Sequence, residues 1–228
     1  MDIVNKCKLC RGPAKVWGYA DINKTCNNHI GFPMLGTPVR YDHCVNCGLI
    51  FTNYFDEWAP EDFQKQIYNQ FYHMVDPDYE EVRPRGNAEF LHNMIQDTSK
   101  FILDYGGGQG KTAQYLRDKG YPATSWDPFG SPTRPDLKAD VVTCIEVFEH
   151  VTEPYKVFLD CLSFVKPGGK LIFTTLINNQ LANHEMHWYI SPRNGHLLIH
   201  SYQSLEFMAI QAGVKLEHIN NSLHVVTT

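Results

Sequence analysis

The sequence predicts an α/β protein with a doubly wound, mostly parallel sheet, preceded by a small cysteine-rich module. The apolar run 101–103 passes through a glycine-rich turn into a helix that ends at Gly120, which is a strand–turn–helix unit. A second buried run, 139–145, is followed by another helix and another strand. Two C-x-x-C pairs lie near the N-terminus. We therefore divide the chain into a zinc-ribbon module (1–54), a helical linker (55–100) and an α/β domain (101–228).

Composition limits the possible classes of protein. The chain has 228 residues, of which 43% are hydrophobic and 20% charged, an ordinary globular balance. The net charge of −5 argues against a broad nucleic-acid-binding surface. The sequence has neither an apolar run long enough to span a membrane nor an apolar signal region at its start, so we expect a soluble, cytoplasmic protein. Seven cysteines, an odd number, disfavour a disulfide framework.

The cysteine module carries the ligand pattern of a structural zinc site. The two C-x-x-C pairs supply four thiolates, and 33 residues separate the pairs, which suits a zinc ribbon with a long hairpin; the predicted metal ligands are Cys7, Cys10, Cys44 and Cys47. Four sulfur ligands close the coordination sphere, so we expect a structural role for the metal. Four buried free cysteines are the alternative. His29 or His43 could replace one cysteine, and Cys26 is interpreted as a bystander.

The linker shows helical periodicity. Phe63, Ile67, Phe71 and Met74 recur at helical spacing before Pro77, and a second helix is predicted over 87–95. Residues 78–84 between them are interpreted as a loop.

The glycine turn decides which ligand the α/β domain suits. A dinucleotide fingerprint starting at Gly106 would need a glycine at position 111, which is lysine. A phosphate loop ending in Gly110-Lys111-Thr112 would need a glycine at position 105, which is tyrosine. A phosphate-loop NTPase therefore stays open as a weaker alternative. Asp104 at the strand tip repels a pyrophosphate and suits a cationic amine.

The next strand, predicted over 121–126, ends in a second carboxylate. Asp127 follows Asp104 by 23 residues, close to the spacing of about 20 at which an acidic residue binds a ribose diol in doubly wound nucleotide folds. An ordinary turn at Asp127-Pro128 is the alternative. No good third strand follows before residue 139.

Later segments complete the predicted sheet. A helix over 153–165 ends in a turn at 166–169, where Gly168 or Gly169 must adopt a left-handed conformation before the strand 170–176. A helix over 204–212 precedes strands 214–219 and 223–226, which form an antiparallel hairpin.

These motifs resemble those of a known family. The string D-x-G-x-G-x-G at 104–110 resembles the first motif of class I S-adenosylmethionine-dependent methyltransferases, and the segment that runs from residue 140 through E-V-x-E-H-V resembles the region after their fourth strand. The run W-Y-x-x-P-R-N-G-H at 188–196 resembles a zinc-ribbon-bearing subset linked to sugars and secondary metabolites. The resemblance implies a Rossmann-like methyltransferase sheet that ends in the antiparallel hairpin.

The resemblance also implies a function and its site. We expect S-adenosylmethionine and a structural zinc as cofactors, and a small-molecule methyl acceptor, with a sugar or sugar nucleotide among the candidates. We expect no membrane or nucleic-acid partner. Tyr72 would cover the cofactor, as N-terminal helices do in this family. The full predicted cofactor site comprises Asp104, Gly106, Gly107, Gly108, Gly110, Asp127, Pro128, Cys144, Glu146 and Tyr72.

Deprotonation of a hydroxyl acceptor needs a base, and histidine has a suitable pKa. The candidates are His187 and His150, then His196 and Tyr189; His150 could instead be a structural histidine paired with a backbone carbonyl. Residues 177–201, which contain four histidines, are interpreted as a lid with the acceptor pocket. The absence of a compact carboxylate cluster there disfavours a magnesium mechanism. A non-catalytic binding module on the same scaffold is the alternative function.

Overall fold

A computed structural model describes residues 5–26, 32–130, 133–177 and 188–228. The chain forms two compact units. The first unit comprises Met1–Pro77, Phe148–Tyr155 and Thr175–Met208, and the second comprises Asp78–Val147, Lys156–Thr174 and Ala209–Thr228. Within the described residues no helix has both the length and the apolar composition that a bilayer-spanning segment requires.

The first unit contains an antiparallel sheet of five strands. Their order is β1-β2-β3-β4-β9, with β1 at Asn5–Lys6, β2 at Pro13–Asp21, β3 at Pro38–Cys44, β4 at Ile50–Phe51 and β9 at Leu198–Ile199. Strand β9 comes from far along the chain and pairs Ile199 with Ile50. Buried Tyr41 and Phe51 pack at the centre of this unit. The sheet next to the cysteine pairs therefore needs a strand from residues 198–199 to complete it.

Two short helices of the first unit replace the single helix predicted over residues 63–74. Helix α1 is Pro60–Gln66 and helix α2 is Tyr72–Val75. Proline at the first helical position and the Asp62 carboxylate, which accepts a hydrogen bond from the Ala59 amide at 2.9 Å, fix the start of α1. The prediction of one continuous helix was wrong between Ile67 and Tyr72, where Phe71, like Met74 of α2, is exposed and gives the segment no apolar face to bury.

The second unit contains the predicted parallel sheet. Its strands are β5 (Ile102–Tyr105), β6 (Ala123–Trp126), β7 (Ala139–Ile145), β8 (Val165–Thr174), β10 (Lys215–His218) and β11 (Leu223–Thr227). The order is β10-β11-β8-β7-β5-β6, with β8, β7, β5 and β6 parallel and β10–β11–β8 antiparallel. This confirms the doubly wound α/β class and the C-terminal hairpin.

The remaining α-helices are α3 (Val82–Ile95), α4 (Lys111–Asp118), α5 (Pro154–Ser163) and α6 (Tyr202–Ala212). Buried Leu91 of α3 and Leu116 of α4 belong to one apolar core with Ile102 and Val141 of the sheet. The prediction of a loop up to residue 84 was wrong, because Pro84 lies in the first turn of α3, where its missing N–H is tolerated.

The glycine pair after α5 lies inside a strand and not before it. Strand β8 begins at Val165, five residues before the predicted start at Lys170, so the predicted turn at 166–169 lies within the strand. Gly168 has φ 73°, so the left-handed conformation predicted for this pair is confirmed. Between β6 and β7 the described residues contain no strand, as the sequence predicted, and β6 is the edge of the sheet.

Candidate functional site

The glycine turn follows β5 directly. Gly106, Gly108 and Gly110 have φ values of 71°, 53° and 75°, which only glycine adopts readily. The Gly106 amide donates to the Trp126 carbonyl at 2.8 Å, which ties the turn to the end of β6. A Cβ on Gly106 would lie 2.6 Å from Val147, so the missing side chain is also a packing requirement. The turn is therefore a bare-backbone surface at the carboxyl ends of parallel strands, where open α/β sheets bind ligands.

Asp104 lies next to this turn, and only one of its two carboxylate oxygens is hydrogen-bonded among the described residues. The side chain is 2% exposed, and Thr143 donates its hydroxyl to Oδ1 at 2.8 Å. Oδ2 has no hydrogen-bond partner among the described residues. Burial raises the pKa of Asp104 to about 7, the Thr143 hydrogen bond opposes this rise, and the charge of Asp127 adds to it. A buried, half-satisfied carboxylate of this kind favours a cationic donor as its ligand.

Asp127 bonds the glycine turn itself. Its Oδ2 accepts from the Gly108 amide at 2.9 Å, and its Oδ1 accepts from the Phe129 amide at 2.8 Å. The structure therefore realises both the ordinary turn at Asp127-Pro128 and a link between two neighbouring strand ends. Asp127 stands directly after β6, the position predicted for a ribose ligand.

Glu146 and Cys144 stand at the end of β7. Glu146 has φ 53°, a conformation that is uncommon outside glycine. Its amide donates to Thr174 Oγ1 at 3.0 Å, and the same hydroxyl donates to Glu146 Oε1 at 2.7 Å. Cys144 is fully buried, with its Sγ 3.8 Å from that of Cys161. A strained backbone conformation that neighbouring contacts stabilise is common at functional sites, and Glu146 shows this combination.

The four predicted zinc ligands converge in the first unit. One sulfur from each of Cys7, Cys10, Cys44 and Cys47 lies within 4.8 Å of the others. The Cys7–Cys47 and Cys10–Cys44 sulfur distances are 3.7 and 3.4 Å. Tetrahedral ligands at a zinc–sulfur distance of about 2.3 Å stand about 3.8 Å apart, so the cluster fits zinc.

Hydrogen bonding within the cysteine cluster prepares it for a cation. The contact with the Cys47 thiol lowers the pKa of Cys7 to about 5, while the same contact raises the pKa of Cys47. The Leu9 amide points at Cys7 Sγ at 3.4 Å, and the Cys47 amide points at Cys44 Sγ at 3.5 Å. Amides that point at sulfur stabilise thiolates, the form that binds metal.

A second cluster of the first unit brings three of the predicted catalytic residues together. The Tyr189 hydroxyl donates to Glu149 Oε1 at 2.6 Å, and the Tyr189 carbonyl is 2.8 Å from His196 Nδ1. The rings of His150 and His196 are 4.9 Å apart. His150 Nδ1 lies 2.9 Å from the Gly195 carbonyl, the backbone pairing that the structural alternative predicted. His187 lies outside the described residues.

Tyrosines from the linker border this cluster. The Tyr68 hydroxyl is 3.2 Å from His150 Nδ1, and the Tyr68 and Tyr72 rings are 5.2 Å apart. The Tyr72 hydroxyl is 3.5 Å from the Asn194 carbonyl. Within the first unit, Tyr72 therefore stands beside the segment that carries His196.

The described residues of the predicted lid, 188–201, are almost all buried in the first unit. Residues 189–201 are buried, and Arg193 donates to the Ile67 carbonyl at 2.8 Å while stacking on Phe32. Cys26 lies outside the cluster of four sulfurs, as expected of a bystander, and its amide donates to Asn194 Oδ1 at 2.9 Å. These aromatic and apolar side chains pack with the cysteine-bearing sheet, and the interpretation of the segment as a lid stays a prediction.

Sequence reasoning missed two members of the sites. Glu149 stands next to His150 in the sequence, and that adjacency after a buried strand was the available signal. Thr143 holds Asp104 from the neighbouring strand, and its place in the apolar run 139–145 gave the only hint.

Solved structures share this fold. The chain is similar to the 1,6-didemethyltoxoflavin-N1-methyltransferase of Burkholderia thailandensis, crystallised with 1,6-didemethyltoxoflavin and S-adenosylhomocysteine. The TM-score is 0.51 at 14% identity, over 81% of this chain and 96% of that one. The pyocyanin biosynthetic protein PhzM gives a TM-score of 0.52 at 12% identity, over 76% of this chain and 70% of that one. At identities this low, the structural similarity shows a common fold alone.

Curated relatives point to the same class of protein. The ubiquinone biosynthesis O-methyltransferase of Coxiella burnetii (strain Dugway 5J108-111) is 26% identical over 149 residues, which are 54% of this chain and 58% of the relative. The protein of the same name from Saccharophagus degradans is 28% identical over 121 residues, 42% of this chain and 51% of the relative. The chain thus spans little more than half the length of the curated relatives it matches.

A family described as "Methyltransferase domain" matches residues 79–219, more than half of the chain. The matched range contains Asp104, the glycine turn and Asp127, which lie at the carboxyl ends of β5 and β6. The chain therefore belongs to this methyltransferase-domain family.

Proposed function

We propose that this protein is an S-adenosylmethionine-dependent methyltransferase that acts on a hydroxyl group of a small molecule. The observation that carries the proposal is Asp104, a buried carboxylate with one unpartnered oxygen beneath a side-chain-free turn. A triphosphate would place negative charge against this carboxylate, whereas the amine of S-adenosylmethionine is positive. Membership of the family and the S-adenosylhomocysteine in the similar Burkholderia thailandensis structure support the same cofactor.

The cofactor residues have distinct roles in this proposal. Asp104 would hold the ammonium group, and the bare backbone of Gly106–Gly110 would let the cofactor approach the sheet. Asp127 would bind the ribose diol while keeping its bond to the Gly108 amide. When bound, S-adenosylmethionine supplies an electrophilic methyl group on a sulfonium. Pro128 and Cys144 remain in the proposed cofactor set because they stand at or near the ends of β6 and β7. Tyr72 remains in it only as the resemblance implies.

Histidine assistance is proposed for the acceptor. The relatives are named for O-methylation, which favours an oxygen acceptor. As the acceptor oxygen bonds to the methyl carbon and the sulfonium–methyl bond breaks, the hydroxyl proton leaves to a histidine. His150 and His196 are the candidates within the described residues. Tyr189 acts on His196 as a positioning residue through its carbonyl, and its hydroxyl bonds Glu149. His187 stays a candidate outside that range.

A structural zinc at the four cysteines is proposed alongside. The sulfur distances and the amides that point at Cys7 and Cys44 support it. The ion would stabilise the segments that carry the cysteine pairs, beside β1 and β4, which are only two residues long each.

The test is calorimetry followed by turnover. The full chain should bind S-adenosylmethionine and S-adenosylhomocysteine, and Asp104→Asn should weaken both at least tenfold while Asp118→Asn, on the exposed side of α4, binds like wild type. Release of S-adenosylhomocysteine is then measured with sugar nucleotides and with catechols as acceptors. Binding without turnover on any acceptor would favour the non-catalytic scaffold. Binding of ATP with magnesium, and none of S-adenosylmethionine, would overturn the proposal in favour of the phosphate-loop alternative.

A further inference from the structure

Besides the four cysteines, the first unit contains a second cluster of three side chains whose composition is typical of a metal site. Glu149 and His150 lie on the single 3₁₀ turn Phe148–His150, and His196 follows the 3₁₀ turn Pro192–Asn194. One carboxylate oxygen and one ring nitrogen from each histidine lie within 4.8 Å of one another. Glu149 is 0% exposed and His196 is 6% exposed. The cluster joins residues 46 positions apart, so it is a product of the fold and not of local sequence.

Backbone carbonyls fix the tautomer of both histidines. His196 Nδ1 is 2.8 Å from the Tyr189 carbonyl, and His150 Nδ1 is 2.9 Å from the Gly195 carbonyl. A carbonyl oxygen only accepts hydrogen bonds, so each Nδ1 carries the proton and donates it. Each Nε2 then has its lone pair in the ring plane. Metal-binding histidines show this arrangement, in which the second nitrogen donates to a carbonyl or carboxylate.

The carboxylate is oriented in the same manner. The Tyr189 hydroxyl donates to Glu149 Oε1 at 2.6 Å, and the Leu176 amide lies 3.4 Å from that hydroxyl oxygen. Tyr189 thus positions Glu149 through its hydroxyl and His196 through its carbonyl. Because the tyrosine is a neutral donor, it orients the carboxylate without cancelling its charge. A cation bound by the buried carboxylate would offset the electrostatic penalty of excluding it from water.

We propose that Glu149, His150 and His196 bind one divalent first-row transition-metal ion of the zinc class. Two imidazole nitrogens and one carboxylate are the ligand set of zinc sites that keep an open coordination position. The site would therefore differ from the closed cysteine site in holding a water molecule or an oxygen of a small ligand. Its imidazole content favours zinc, cobalt or iron over magnesium, which prefers oxygen ligands.

This second metal site is inferred from the proximity of three side chains and does not depend on methyl transfer. With the ion present, the two histidines would assist an acceptor hydroxyl through the metal, which lowers the pKa of a bound oxygen. Without it, one histidine would accept the proton directly. Failure of the metal proposal would consequently leave the methyltransferase proposal intact, and the reverse also holds.

Metal stoichiometry tests the proposal. The full chain is stripped with a chelator, reloaded with zinc or cobalt(II), dialysed and subjected to elemental analysis. We expect two equivalents per chain in wild type. Glu149→Gln, which keeps an oxygen to accept the Tyr189 hydroxyl, and His196→Ala should each retain one. His73→Ala, on an exposed histidine of α2, is the matched control and should retain two.

Cobalt absorption separates the two sites. The sulfur-to-cobalt charge-transfer bands of the cysteine site should persist in Glu149→Gln and His196→Ala and disappear in Cys44→Ser. Tyr189→Phe should weaken the second equivalent about 10- to 100-fold, as loss of an outer-shell partner does, without changing those bands. One equivalent in wild type, bound by sulfur alone, overturns the proposal whatever the variants do. Two equivalents that both survive Glu149→Gln and His196→Ala overturn it as well.

Discussion

The Asp127 carboxylate accepts a hydrogen bond from the Gly108 amide at 2.9 Å and so joins the end of β6 to the glycine turn after β5. This one contact holds the turn in place and also positions the carboxylate at the strand end where a ribose would bind. Preorganisation of the turn and ligand recognition therefore depend on the same side chain.

Substitution of Asp127 by asparagine should weaken cofactor binding more than it weakens the fold. The amide oxygen of asparagine still accepts one backbone bond, while the charge-assisted bond to a ribose hydroxyl is lost. We expect the Kd for S-adenosylhomocysteine to rise about tenfold, equivalent to about 1.4 kcal/mol, with a small change in melting temperature. Calorimetry measures it, with Asp118→Asn as the control. Wild-type affinity in Asp127→Asn would exclude Asp127 from the cofactor site.

Stability of the ligand-free protein should depend on the ionisation of Asp104. Its pKa is raised from 3.8 to about 7 by burial, so between these pH values the folded chain holds a proton that the unfolded chain has lost. The contribution of this group to stability is then fully present below about pH 4 and is lost as the pH rises through about 7. Asp104→Asn removes this loss, so its stability relative to wild type should increase by about 3 kcal/mol between pH 5 and pH 8.

Urea unfolding at a series of pH values measures that difference. The Asp118→Asn control should show no comparable trend. A flat difference for Asp104→Asn would mean that the carboxylate is ionised in the folded protein across this range. Binding of a cationic ligand should lower the pKa of Asp104 and release protons near pH 6.5, which calorimetry in buffers of different ionisation enthalpy detects.

Alanine at Gly107 should disrupt the turn by steric overlap. Its Cβ would lie 2.2 Å from Asp104 Oδ2 and 2.4 Å from Ser125 Oγ. We expect a loss of about 1–3 kcal/mol of stability, typical of overpacking, together with loss of cofactor binding. Thermal and urea unfolding measure the first effect and calorimetry the second.

Gly86 provides the matched control for that substitution. It lies inside α3, and a Cβ there would have nothing within 4 Å. Gly86→Ala should therefore raise stability by about 0.5–1 kcal/mol and leave binding unchanged. If both alanine variants behaved alike, the contact between Gly107 and Asp104 would have no energetic importance.

Loss of one cysteine ligand should release a metal ion and destabilise the first unit. Cys44→Ser replaces a thiolate with a poor zinc ligand, so elemental analysis should show one equivalent fewer than wild type and the melting temperature should fall. Cys26→Ser is the control, because Cys26 bonds Ser191 and lies outside the cluster of four sulfurs. Equal metal content in both variants would contradict the assignment.

Local signals made the second unit predictable. A strand, a glycine turn and a helix follow one another within residues 101–120, and each leaves its own mark in the sequence. The C-terminal hairpin was predictable for the same reason. The C-x-x-C pairs were equally visible, because a metal site fixes spacing as well as residue type.

Long-range packing made the rest inaccessible to pattern reasoning. Tyr189 contacts Glu149, 40 positions away in the sequence, and neither residue carries a local signal for the other. The burial of Arg193 depends on a carbonyl of residue 67 and a ring at residue 32. The sequence therefore contained no indication that the described part of this predicted lid is buried.

The pairing of β4 with β9 has a consequence for how the chain is made. Ile50 and Phe51 meet Ile199 and Leu198, so an early strand stays without its neighbour until nearly 150 further residues have left the ribosome. During synthesis, one edge of β4 in the cysteine module therefore stays unpaired. Unpaired strand edges favour misassembly, above all in chains whose contacts join residues far apart in sequence. Zinc bound early by the two thiol pairs would stabilise the module while this strand edge is unpaired. We therefore expect zinc depletion to cause aggregation during synthesis before it causes loss of function in folded protein.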